Sequence, residues 1–103
     1  MAAAMIWCPF ADEESAASAA GILLDEELVA CANILPPMRS LYRWDGKRGE
    51  GRETGVLFKT DGNRRDAAMA RLAEVHPYDE PAIMSWACDA APGTAQWLAR
   101  AGA

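Results

Sequence analysis

One histidine, His76, and three cysteines, Cys8, Cys31 and Cys88, are the side chains of this 103-residue chain best suited to grip a metal ion. A thiolate combined with an imidazole suits a soft or borderline cation such as copper or zinc. A structural zinc site normally takes four ligands, more than one such pair supplies. Cu(I) accepts fewer, and water or a neighbouring subunit can add to the set. The plainer reading makes a cysteine a small core hydrophobe and His76 a hydrogen-bonded helix terminator. Cys31 and Cys88 flank apolar strand positions, so packing is the better reading for both.

Tyr42, Trp44, Glu53, Lys59 and Tyr78 form a second group. Glu53 and Lys59 stand six apart on one strand, on the same side but ~20 Å from each other, too far to pair within a subunit. They can close a salt bridge between subunits or line a cleft there. With Tyr78 such a cleft could hold a small anionic effector. Tyr42 and Trp44 fit interface anchors better than ligand stackers. No nucleophile elbow, HExxH pair or phosphate-cradling glycine loop accompanies His76, so the chain is not expected to be an enzyme.

The elements that must position these residues can be read from pattern. Ala3 to Cys8 reads as a buried strand. Asp12 can cap a helix with Glu13 and Glu14 in its first turn, carrying Ala16, Ala19, Ala20, Leu23 and Leu24 on one face and ending near Glu26-Glu27. A long strand runs from about Ala30 to Trp44, with Pro36-Pro37 at a bulge or an edge and Asp45-Gly46 as a hairpin turn. Cys31 to Trp44 could span ~40 Å, whereas strands usually run about five or six residues. A domain this small has no sheet to use it, so something outside the chain is expected to cover its far half.

Gly49 to Gly51 read as a loop, and Glu53 to Thr60 as a third strand around Val56, Leu57 and Phe58. A second helix, Arg64 to Val75, buries Ala68, Leu72 and Val75 and ends at His76-Pro77, since the residue before proline avoids the helical region. Ile83 to Cys88 is a fourth strand, Pro92-Gly93 a break, and Thr94 to Ala101 a last helix. The expected class is α+β, a ferredoxin-like βαββαβ with an extra C-terminal helix and a long strand 2–3 hairpin, in one domain spanning 1–103. Strand one is then central with strand four antiparallel beside it. Cys8 falls near His76 to Pro81, and Cys31 at the opposite end of the sheet.

A net charge of −5 and the lack of a basic stripe argue against nucleic acid or an anionic membrane as partner. Arg39, Arg43, Lys47, Arg48 and Arg52 gather along the hairpin, where charge guards an edge against aggregation. Four tryptophans in so short a chain seek large buried surfaces, in a core or at an interface. The N-terminal run lacks a basic region and meets Asp12-Glu13-Glu14, making a poor signal peptide, and no segment reaches the ~20 apolar residues of a membrane span. Three cysteines without CxxC spacing make a disulfide framework unexpected, and a cytoplasmic location is the expectation.

Leu28, Ala30-Cys31, Asn33-Ile34, Pro36, Ser40, Tyr42, Trp44, Gly46, Glu53, Lys59-Thr60, His76-Pro77-Tyr78, Pro81 and Ile83 stand in an order and spacing that resembles the CutA family of divalent-cation tolerance proteins. The resemblance runs over nearly the whole chain. It implies a ferredoxin-like protomer in a tight homotrimer, with the long hairpins pairing across subunits. It also implies copper or another divalent cation bound through Cys8, at the end of strand one, and His76. Val75 stands where some members carry a second histidine. The expected function is a trimeric metal-binding protein in copper or divalent-cation tolerance. The alternative is a trimeric signalling or scaffold module that binds a small ligand or partner protein at inter-subunit clefts.

Overall fold

Eight elements follow one another in residues 3–103, the part described by a computed structural model: β1 (Ala3–Phe10), α1 (Glu13–Asp25), β2 (Cys31–Ile34), β3 (Met38–Trp44), β4 (Lys47–Asp61), α2 (Arg65–Val75), β5 (Met84–Cys88) and α3 (Pro92–Ala99). The Asp12 carboxylate accepts from the Ser15 backbone N–H at 2.8 Å, the N-cap bond that starts α1. Glu27, in the left-handed region at φ 58°, ends the helix and turns the chain toward β2. Pro77 forces His76 into extended backbone, φ −74° and ψ 137°, and α2 stops there.

The sheet order is β2-β4-β1-β5 with every neighbour antiparallel, and β3 prolongs the pairing along β4. Taking β2 and β3 as one interrupted strand gives the ferredoxin-like βαββαβ topology, with α3 added. Residues alternate along each strand between two faces. Ile6, Cys8 and Phe10 of β1 join Val56 and Phe58 of β4 beneath Leu23 of α1 and Leu72 of α2. Ala16, Ala19 and Ala20 are buried as expected, but Leu24, expected on that face, is exposed. It sits about a hundred degrees round the helix from Leu23 and clears the sheet.

Between β2 and β3 the register slips by one residue: Ile34 faces Val56, whereas Met38 faces Glu53. Pro36 and Pro37 occupy this bulge, where no ladder donor is required of them. Asp45 and Gly46, at φ 53° and 74°, make the two-residue turn expected from an Asp-Gly pair. Pro92 does not break the chain but opens α3, where its missing N–H costs nothing.

Gly49 and Gly51 overturn the expectation of a loop, for both lie inside the 15-residue β4. Gly49 pairs with Tyr42, and a Cβ there would overlap the Tyr42 ring. The aromatic ring and the β3 ladder supply the strand stability that glycine itself lacks. Gly55 repeats the device on β4, because a Cβ there would run into the Trp7 indole. Gly55→Ala is expected to cost about 1–3 kcal/mol through overpacking, read as a lower urea midpoint with unchanged slope. Gly51→Ala, with open space at its Cβ, serves as the near-neutral control.

The β3–β4 hairpin runs past the end of the other strands and stretches the molecule to 44 × 23 × 23 Å. Neither long edge of its outer half is paired among the described residues. Leu41 and Trp44 are 53% and 63% exposed there, and Met84 and Trp86 stand exposed on β5.

Candidate functional site

Cys8 and His76 meet at the end of β1, and they meet around a backbone carbonyl. The His76 ring lies against Phe10, centroids 4.2 Å apart and nearly parallel, and only 6% of the residue is exposed. Its Nδ1 accepts the Tyr78 backbone N–H at 3.1 Å. A backbone N–H can only donate, so Nδ1 carries a lone pair and the ring proton resides on Nε2. Nε2 then donates to the Pro9 carbonyl at 2.9 Å. The Cys8 thiol donates to the same oxygen at 3.7 Å.

Burial, reinforced by the nearby Glu53 carboxylate, pushes the Cys8 thiol from 9.0 up to about 12. A cation at this point would require a thiolate and a free imidazole lone pair. The folded chain instead offers a protonated thiol, a ring N–H and a lone pair already engaged. The donor set therefore does not fit the copper or divalent-cation site that the family resemblance implies. No group of three or more His, Cys, Asp or Glu placed to hold a metal occurs among the described residues.

The second group is divided. The Tyr78 hydroxyl donates to the Glu53 carboxylate at 3.0 Å, tying the loop after α2 to β4. Burial and this bond to a carboxylate push the Tyr78 phenol up to about 12. Glu53, Tyr78, Tyr42 and Trp44 line one open cleft of about 960 Å³ between the hairpin and the 77–82 loop. Lys59 is not among its lining residues; it pairs with Met5 and Cys31 farther along β4. Positive charge comes from Arg43 and Arg52, and Asp79 and Glu80 stand on the opposite wall.

Trp7 is among the lining residues that residue type alone does not assign to the cleft. Period two could have found it, since Trp7 must face away from its neighbours Ile6 and Cys8. Cys31 lies toward the Ala3 end of the sheet, away from His76, as topology required. Cys31 and Cys88 are half-buried rather than core, and all three thiols are free. Cys31 reaches Asn33 Oδ1 at 3.5 Å.

Two outcomes follow from these protonation states. In the native protein near neutral pH, alkylation should consume Cys31 and Cys88 and spare Cys8 until the chain is unfolded, as peptide mass mapping would show. The raised thiol contributes stability that is complete below its ordinary 9.0 and is lost as pH climbs toward about 12. Tyr78 acts in the same direction between 10.0 and about 12. Urea midpoints should therefore fall above pH 9, more steeply in the parent than in Tyr78→Phe.

The sequence model of the CutA1 divalent ion tolerance protein family matches residues 4–101. The divalent-cation tolerance protein CutA of Pyrococcus horikoshii is 41% identical over 80 residues, covering 78% of this chain and 78% of that protein. Its counterpart in Pectobacterium atrosepticum is 38% identical over 82 residues, 80% of this chain and 74% of that one. The crystal structure of CutA from Xylella fastidiosa superposes with a TM-score of 0.92 at 30% identity, each chain covered over 100% of its length.

Proposed function

The chain belongs to the CutA1 divalent ion tolerance protein family, and on that premise we propose that it acts in divalent-cation tolerance as a homotrimer. The observation that carries the assembly is the outer half of the hairpin. A two-stranded ribbon is marginally stable alone, and unpaired edges beside exposed Leu41, Tyr42 and Trp44 invite another chain. The exposed Met84 and Trp86 of β5 offer a second apolar surface for such a partner. The stoichiometry of three comes from the family resemblance; the reason to associate comes from the hairpin.

In this reading the cleft beside Tyr78 and Glu53 is closed by a neighbouring copy and is where a small ligand or partner protein binds. Its mixed arginines and carboxylates with aromatic walls support the module reading over a buried Cys8–His76 metal centre. The protein acts without catalysis of its own, and its three free thiols suit a reducing cytoplasm. Native mass measurement tests the assembly: particles of three times 11.1 kDa are expected, and particles of 11.1 kDa at micromolar concentration would refute it. For the tolerance role, cells lacking the gene should grow more poorly in elevated copper. Both the parent and Cys8→Ala should restore growth.

A further inference from the structure

We propose that His76 is a positioning residue for the Tyr78–Glu53 pair, and that with Cys8 it clamps the Pro9 carbonyl instead of ligating a divalent cation. The clamp converges on one oxygen, which accepts a hydrogen bond from the Cys8 thiol at 3.7 Å and another from the His76 ring N–H at 2.9 Å. Proline lacks an N–H, so its carbonyl is the one backbone handle by which Pro9 can be held. From that anchor His76 reaches across its own ring. Nε2 faces β1, and Nδ1 fixes the Tyr78 amide two residues along the chain. The Tyr78 ring, tilted against His76 with centroids 4.7 Å apart, then delivers its hydroxyl to Glu53.

The chain of contacts crosses the sheet's end, from the helix-covered face that holds Cys8 and Phe10 to the open face that holds the cleft. Metal ligation would sever it at two points, deprotonating Cys8 and taking a ring nitrogen from Tyr78 or Pro9. This inference concerns contacts within one protomer, so it stands or falls separately from the trimer.

His76 is the chain's single histidine, so its ring nitrogens need no assignment in a long-range proton–nitrogen NMR correlation. The 103-residue chain should show one ring nitrogen of the pyrrole type and one of the pyridine type. Titration with Zn2+, or with Cu+ under reducing conditions, should leave both signals in place. His76→Asn, whose side-chain oxygen can replace Nδ1 as acceptor, should keep the Tyr78 amide resonance near its parental shift, and His76→Ala should lose it. Ring signals that move with the first equivalent of metal would overturn the proposal. So would a Tyr78 amide that is unmoved in His76→Ala. Should the variants fail to fold, the metal titration of the parent still decides.

Discussion

Leu41→Asp combined with Trp44→Asp is expected to turn the proposed trimer into a folded monomer of 11.1 kDa. Both side chains project from β3 and neither belongs to the buried cluster under the helices, so the protomer's own core is untouched. At an interface the same residues would be anchors, and hot spots of this kind are worth about 2 kcal/mol or more each. The aspartates would add the cost of burying unpaired charge. Two such losses in every copy correspond to a dissociation constant raised by roughly a thousandfold or more, since about 1.4 kcal/mol is tenfold. Light scattering after size exclusion reads the mass, and far-ultraviolet circular dichroism verifies that the strands survive. A double variant that keeps the parental mass would place the contact elsewhere than the hairpin.

Phe10→Ala is the second change expected to act strongly. Phe10 is fully buried, fills the core between β1 and the helices, and carries the His76 ring on its face. Truncating a buried phenylalanine costs about 3–5 kcal/mol, against a total of about 5–15 kcal/mol for an ordinary domain. Urea unfolding of parent and variant should be compared at one protein concentration, because assembly adds to apparent stability. Phe10→Leu, which retains most of the volume, should recover more than half of the loss. A loss under about 1 kcal/mol for Phe10→Ala would mean that the cavity collapses or that Phe10 is not the packing centre.

Much of the scaffold was legible because its signals are local. Asp12 before an alanine-rich helix, Asp45-Gly46 at a hairpin tip and His76-Pro77 at a helix end each act through backbone geometry that residue type dictates. The glycines of β4 look like a loop in sequence because what holds them in a strand is non-local: Tyr42 comes from the facing strand to cover Gly49. The split of the long strand at Pro36-Pro37 was visible, but the one-residue slip that re-aims Met38 toward Glu53 depends on pairing.

At the candidate site, topology brings Cys8 and His76 to one end of the sheet, but residue type does not disclose what they bond there. Their partners are the Pro9 carbonyl and the Tyr78 amide, backbone groups that every residue type carries and no motif reports. A thiol beside an imidazole resembles a ligand pair until the protons are placed. Residue type alone groups Lys59 with Glu53 and Tyr78, yet strand spacing keeps it away from their cleft.

If another copy of the chain covers the outer hairpin, as proposed, amide hydrogen exchange over residues 38–53 reads that cover residue by residue. The hairpin's own pairing leaves alternate amides on both long edges pointing outward. At concentrations where the protein is assembled, those amides should exchange as slowly as the amides of β1, and dilution to monomer should speed them. Rapid exchange along both edges at every concentration, beside slow exchange in β1, would show a ribbon open to solvent with no copy of the chain covering it.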